Sequence, residues 1–314
     1  PKNLTEIPVA DNIIPLCELA KNLAEAGEFE SACEMLQPFW AGVPQRPDTN
    51  GLAQDAKAEL LLRAGTLTGW LGSAKQIAGA QETAKDLISE SASIFETLGN
   101  AEKIAEARVD LAICYWREGA LDEARVTLHL VLESLGEVPS EQKLRALLNS
   151  AIVEKVATRD HDALRIYREA APKFVDCPNL ALKGKFHNAY ANLLRSLGSS
   201  EKREDYIVLA LVEYAAASFH FEQVGFHSLQ AIVENNVAFL FATIGKFPEA
   251  REHVNSARRL FQLKDHGGSA YTDDTLAQIF LMEGNSAEAE RVARRAVQTL
   301  KHGGEQSFLA EALI

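Results

Sequence analysis

The chain has 314 residues, of which 47% are hydrophobic and 24% are charged, a composition typical of an ordinary folded protein. Its formal net charge of −12 would repel phosphate backbones and anionic lipid surfaces, so we expect neither a direct nucleic-acid partner nor a membrane partner. No apolar run reaches the roughly 18 residues of a membrane span, and no charged-then-apolar leader is present, so the expected location is the cytoplasm.

Apolar residues recur at helical spacing along almost the whole chain, and they predict fourteen helices joined by short turns. The first eight span Asp11–Ala26, Phe29–Trp40, Leu52–Leu71, Gln76–Leu98, Ala101–Glu118, Leu121–Leu135, Ser140–Ala157 and His161–Val175. The last six span Asn179–Leu197, Arg203–Val224, His227–Ile244, Phe247–Leu263, Ser269–Glu283 and Ser286–Lys301. These helices form seven pairs, and Glu305–Ile314 begins the first helix of an eighth.

The same turn recurs between the two helices of a pair: a glycine ends the first helix, and an alanine follows five residues later in the second. The four clear pairs of residues are Gly27 with Ala32, Gly119 with Ala124, Gly245 with Ala250 and Gly284 with Ala289. Glycine can adopt the left-handed conformation that ends a helix, and a small alanine lets two helices approach closely. A further small residue precedes each glycine by seven positions, at Ala20, Ala112, Ala238 and Ala277.

Small residues at these fixed offsets resemble the tetratricopeptide-repeat family, whose unit is a pair of antiparallel helices. Successive second-helix alanines, at positions 124, 163, 210, 250 and 289, are separated by 39, 47, 40 and 39 residues. Since the usual unit has about 34 residues, the chain is similar to the extended-repeat branch of the family. That branch includes peptide-receptor regulators of bacteria, the repeat domain of maltose-type transcription activators and kinesin light chain.

The resemblance implies an all-α fold, a right-handed αα superhelical solenoid of antiparallel helix pairs. We expect residues 1–314 to form a single solenoid of about seven pairs plus the start of an eighth. The segment Gly51–Leu98 matches the repeat poorly, with two long helices but no clear glycine-plus-alanine turn. A solenoid normally ends in a polar capping helix, so the apolar Glu305–Ile314 indicates a fragment of a longer protein.

No catalytic, nucleotide-binding or metal-binding motif is present in the sequence, and the acidic residues are scattered over helix surfaces. The four cysteines lie far apart, each inside or beside an apolar helical run, and are typical of buried reduced thiols. The eight histidines show no ligand spacing. We therefore expect no enzymatic activity, no cofactor and no metal.

One polar stripe stands out in the helix that begins near Asn179, where Lys185, Asn188, Asn192 and Arg195 lie on one face at offsets 0, 3, 7 and 10. By register with the repeat, this face lines the concave groove of the solenoid. The corresponding positions of the next pair carry Asn235 and Asn236, and those of the preceding pair carry Arg145 and Asn149. The pair before that presents apolar or acidic residues there, which departs from the carboxylate clamp of chaperone-type repeats: Glu106, Val109, Ile113 and Trp116.

Asparagine is a modest helix former, so several asparagines in the middle of helices call for an explanation. An amide side chain both donates and accepts hydrogen bonds, as binding to an extended peptide backbone requires, and the extended-repeat relatives hold peptides with groove asparagines. Lys185 and Arg195 would attract a carboxylate of the ligand. The alternative is that these amides only bridge helices within the solenoid.

Two functions remain open at this level. The first is a non-catalytic module that binds a protein or peptide in its concave groove, as the sensor or scaffold region of a larger bacterial regulatory or signalling protein. The second is a structural scaffold that associates with other copies, such as a homodimer, and has no groove ligand.

Overall fold

The computed structural model describes residues 13–137, 139–263 and 268–303, and within those ranges every helix or strand assigned is an α-helix. This confirms the predicted all-α fold. By their contacts the residues form two compact units that divide between Val153 and Glu154. The segment Glu305–Ile314, predicted to begin an eighth pair, lies outside the described residues. The prediction of one continuous solenoid over residues 1–314 stays a prediction.

The first unit contains three antiparallel helix pairs followed by most of a seventh helix. Its helices are α1 (Ile13–Glu25), α2 (Phe29–Leu36), α3 (Gln54–Ala74), α4 (Ala80–Thr97), α5 (Ala101–Glu118), α6 (Leu121–Leu135) and α7 (Glu141–Val156). Each even-numbered helix through α6 packs on the one before it, and α3 also packs against both α1 and α5. Neighbouring pairs therefore share one hydrophobic core, as a tandem repeat requires.

The second unit repeats this arrangement. Its helices are α8 (Asp160–Phe174), α9 (Leu180–Ser200), α10 (Glu204–Gln223), α11 (His227–Thr243), α12 (Phe247–Gln262), α13 (Gly268–Met282) and α14 (Ser286–Gly303). The pairs are α9 with α10, α11 with α12, and α13 with α14, and α11 also contacts both α9 and α13. We call the odd-numbered helices the first helices of their pairs. Successive first helices lie side by side within each unit.

The predicted small residues lie where paired helices meet. Ala112 of α5 and Ala124 of α6 are both fully buried, as are Ala238 of α11 and Ala250 of α12. Gly119 lies between α5 and α6 with a φ of 85°, in the left-handed region that disfavours a side chain. Sequence and structure agree on these pairs because each one combines a left-handed turn with a small residue on both sides of the contact.

The second pair corrects one expectation. The turn between α3 and α4 is built like the others, since Gly79 has a φ of 73° and Ala84 follows it by five residues and is fully buried. The small residue seven positions before the turn is a glycine, Gly72, and a Cβ built there would lie 2.3 Å from the Cβ of Ala80. The sequence prediction started the helix at Gln76 and so placed the turn glycine inside it.

The cysteines confirm the prediction of buried thiols at three of four positions, Cys17, Cys114 and Cys177, while Cys33 is half-buried. Burial raises the pKa of both Cys17 and Cys114 to about 12. These two thiols are therefore protonated at neutral pH and are poor nucleophiles.

The contact between Gly72 and Ala80 gives a test of the fold. We expect Gly72→Ala to lower the free energy of unfolding by about 1–3 kcal/mol, because the added methyl forces α3 and α4 apart. The matched control is Ser73→Ala, at the neighbouring half-buried position, with an expected change within about 0.5 kcal/mol. Urea unfolding followed by circular dichroism measures both. Equal stability of the two variants would contradict the close approach of these helices.

Candidate functional site

The predicted polar residues of the second unit lie on α9 and α11, and their side chains meet across neighbouring helices. The amide nitrogen of Asn236 on α11 donates to Oδ1 of Asn188 on α9, at 3.0 Å. Asn235 points the other way and donates to the hydroxyl of Thr275 on α13, at 2.7 Å. Two adjacent asparagines therefore bridge α11 to the first helices on both sides. We call Lys185, Asn188, Asn192, Arg195, Asn235 and Asn236 the amide row.

Asn192 and Arg195 belong to a second group of contacts. The hydroxyl of Tyr214 on α10 donates to Oδ1 of Asn192, at 2.6 Å. Arg195 hydrogen-bonds to Tyr214, and its guanidinium lies 4.7 Å from the ring centroid of Phe239 on α11. Burial raises the pKa of Tyr214 to about 12, although the charge of Arg195 acts in the opposite direction. The phenol therefore stays protonated and can donate to Asn192.

Arg195 has no carboxylate within ion-pair distance among the described residues. Its Nε is buried and has no hydrogen-bond acceptor. A guanidinium carries five donors, and the aromatic ring compensates only part of its charge. The remaining donors could bind an acidic group of a ligand.

The side chains of the amide row differ in how deeply they are buried. Asn235 is only 3% exposed, so its side chain mainly serves the contact between α11 and α13. Lys185, Asn188, Asn192, Arg195 and Asn236 are all partly exposed. The helix-bridging alternative thus describes contacts that exist in the structure, while the partly exposed members keep polar surface that a ligand can reach.

The other two predicted site residues, Arg145 and Asn149 on α7, belong to the first unit. The Arg145 guanidinium lies 2.5 Å from a carboxylate oxygen of Asp110 on α5. Asn149 donates to the backbone carbonyl of Arg145, at 2.8 Å, and is 8% exposed. Arg145 therefore holds α7 against α5, whereas the hydrogen bond of Asn149 lies within α7.

Arg145 is one end of a buried charge network along the first helices of this unit. The network consists of Lys21, Glu59, Arg63, Lys103, Glu106, Asp110 and Arg145. Glu106 lies at its centre, only 2% exposed, with nitrogens of Arg63, Lys103 and Lys21 at 2.6, 3.1 and 3.2 Å. The prediction that Glu106 and Val109 face the open groove is wrong, because both are buried.

The electrostatics of Glu106 follow from these contacts. Burial alone would raise its pKa, but Arg63, Lys21, Arg145 and Lys103 together hold the pKa well below its usual range. The carboxylate is therefore charged at neutral pH, and the neighbouring cations stabilise that charge. Sequence reasoning missed this network, although Arg63 directly after the apolar run Leu60–Leu62 was a signal of a buried ion pair.

A second arginine stacked on an aromatic ring lies elsewhere in the first unit. The guanidinium carbon of Arg117 on α5 is 3.4 Å from the ring centroid of Trp70 on α3. Burial lowers the pKa of Arg117 to about 10, because no carboxylate among the described residues forms an ion pair with it. Arginine on a ring is thus a repeated way of placing a cation in this molecule.

Two further properties of the described ranges concern metal ions and membranes. No group of three or more His, Cys, Asp and Glu side chains there could hold a metal ion. No described helix combines the length and hydropathy of a membrane-spanning segment.

Comparison with known families agrees with the repeat architecture. Family models described as tetratricopeptide repeat match residues 105–129, in α5 and α6, and residues 229–302, in α11 to α14. No curated protein sequence matches the chain significantly.

Several solved structures share the fold at low sequence identity. A Rap protein complexed with competence and sporulation factor has a TM-score of 0.62 at 15% identity, with 96% of this chain and 80% of that chain covered. The Rap conjugation gene regulator of the plasmid pLS20, in complex with a Phr peptide, has a TM-score of 0.60 at 13% identity, with coverage of 100% and 81%. A signal transduction ATPase with a tetratricopeptide-repeat sensor, from Pyrococcus horikoshii, has a TM-score of 0.55 at 14% identity, with coverage of 96% and 45%.

Residues 105–129 and 229–302 therefore match tetratricopeptide repeats, and the chain shares its fold with solved structures that include a tetratricopeptide-repeat sensor. Repeats of this kind generally act as non-catalytic scaffolds that bind other proteins through their extended surfaces.

The charge network gives a test of the first unit. We expect Glu106→Gln to lower the free energy of unfolding at neutral pH by about 3 kcal/mol, because it leaves buried cations without their shared carboxylate. Glu106 has a lowered pKa in the folded state, so its contribution is complete above the unfolded-state pKa of about 4.3 and is lost as the pH falls further. The difference in free energy of unfolding between Glu106→Gln and the unaltered protein should therefore shrink below a pH of about 4.3.

The matched control is Glu96→Gln, since Glu96 pairs with Arg108 but is 49% exposed. We expect that change to cost less than about 0.5 kcal/mol. Urea titrations at neutral and acid pH measure both variants. A pH-independent difference for Glu106→Gln would contradict the proposed role of its charge.

Proposed function

We propose that the chain is a peptide-binding sensor module, and that the amide row on α9 and α11 holds the peptide. The observation that carries this proposal is Arg195, a guanidinium stacked on Phe239 with no carboxylate partner among the described residues. Beside it, the half-exposed amides of Asn188 and Asn192 lie along the same helix. A peptide carboxylate fits the first feature, and a peptide backbone fits the second.

The hydrogen bonds within the row support an adaptable site. Asn188 accepts one bond from Asn236, and its own amide hydrogens are not used in any bond described. Asn192 likewise uses its oxygen for Tyr214. Each amide therefore keeps donor capacity for the carbonyl groups of an extended ligand without losing its contact within the fold.

Two solved structures of similar fold support a role in peptide binding or sensing. One Rap structure of the same fold contains a Phr peptide, and the Pyrococcus horikoshii protein is described as having a tetratricopeptide-repeat sensor. A role as the sensor region of a larger regulatory protein in the cytoplasm is consistent with both. In this proposal the chain binds a peptide and catalyses no reaction.

The test uses a hexapeptide library with free carboxyl termini and the same library with amidated termini. We expect the protein to retain acidic or free-carboxylate peptides, and Arg195→Ala to weaken binding by about tenfold, the usual effect of losing a charged hydrogen bond. Asn188→Ala should cause a smaller loss. Calorimetry with the most strongly retained peptide measures the affinities.

The control is Arg165→Ala, which removes an arginine that is 60% exposed on α8 of the same unit. Its affinity should match that of the unaltered protein. Retention of no peptide, or equal affinities for Arg195→Ala and Arg165→Ala, would refute the proposal. The remaining hypothesis would then be the oligomerisation scaffold, which requires no groove ligand.

A further inference from the structure

A cleft in the second unit lies outside the amide row. It has a volume of about 440 Å³ and runs between α10 and α11, with α12 closing one side. This size is within the usual range of roughly 300–1,000 Å³ for pockets that bind ligands. Its apolar wall includes Leu211 and Phe219 of α10 and Val233, Val237 and Phe241 of α11.

The apolar surface continues beyond the cleft along α10. Phe219 is 56% exposed, and Val212 and Val208 are 58% and 62% exposed. The spacings of seven and four residues place all three on one face of the helix. Exposed apolar side chains at helical spacing fit a long partner segment better than a compact small molecule.

The polar groups of the cleft carry negative charge. Glu222 lies exposed on α10, and its carboxylate has no hydrogen-bond or ion-pair partner among the described residues. Glu234 of α11 contacts the His253 ring at 2.8 Å, and that ring stacks on Phe241. No lysine or arginine is among the residues that line the cleft. An occupant therefore needs a cation beside its apolar groups.

We propose that this cleft is a docking site for a protein segment that carries apolar side chains next to lysine or arginine. The apolar side chains enter the space between α10 and α11, and the cation pairs with Glu222 at its edge. Apolar burial provides most of the binding free energy, while the carboxylates select a basic segment over an acidic one. The cleft shares no lining residue with the amide row, whose proposed ligand carries the opposite charge.

The test uses two fluorescent synthetic peptides at physiological salt, one with leucines and lysines at helical spacing and one with glutamates in place of the lysines. We expect the basic peptide to bind and the acidic one to bind at least about tenfold more weakly. Fluorescence anisotropy measures both affinities.

Two variants locate the binding. Ala215→Trp fills the cleft from an exposed position on α10, so it leaves the core unchanged, and it should weaken the basic peptide by about tenfold. Glu222→Lys should weaken the same peptide and strengthen the acidic one. Circular dichroism confirms that both variants are folded.

The matched controls are Val126→Trp, at an exposed second-helix position of the first unit, and Glu169→Lys, at an exposed position on α8. Neither should change the affinity. Arg195→Ala should also leave it unchanged, which separates this proposal from that of the amide row. Failure of the basic peptide to bind, or equal losses in variants and controls, would overturn the assignment.

Discussion

The close approach of paired helices is the constraint on which the rest of the structure depends. Ala112 against Ala124, and Ala238 against Ala250, are buried completely, and in the second pair glycines of α3 take over part of this role. A larger side chain at such a point would push the helices apart and open the shared core between neighbouring pairs. The backbone positions of the first helices, and thus the spacing of every polar side chain they carry, follow from these contacts.

Much of the fold was predictable from the sequence because the contacts that define it are local. The turn glycine and the two small residues of a pair span only 12 positions, so each pair can be identified from its own segment. The turn between α3 and α4 was not predicted, because Gly72 replaces the usual alanine and because the predicted helix ran through Gly79. Periodicity alone places helix boundaries poorly when a turn is short.

The candidate site was less predictable because its contacts join different repeats. The sequence indicated the asparagines, but the partners of Asn188 and Asn235 lie 48 and 40 residues away. For the same reason Glu106 was assigned to an open groove, although cations from α1 and α3 cover it. The periodicity of a single sequence shows which residues share one face of a helix. How deeply that face is buried depends on the side chains of the neighbouring repeat.

The two units use their first helices differently, and this difference bears on function. In the first unit the charge network between α1, α3, α5 and α7 consists of paired ions around the buried Glu106, Arg63 and Asp110, so rearranging it would leave an unpaired buried ion at high cost. In the second unit the bridges from α9 to α11 are neutral amides that are partly exposed, and exchanging one neutral hydrogen bond for another costs little. The second unit is therefore the better place for a reversible ligand.

Tyr214 connects the two proposed surfaces of that unit. Its hydroxyl donates to Asn192 in the amide row, and its ring lies in the wall beneath the cleft. Binding at one surface affects the other only if the position of this side chain differs between the free and bound states. Because Tyr214 is fully buried and packed on both sides, it has little freedom to move alone. Any coupling between the surfaces must therefore involve a shift of α10 against α9 and α11, the same helix contacts that the small residues determine.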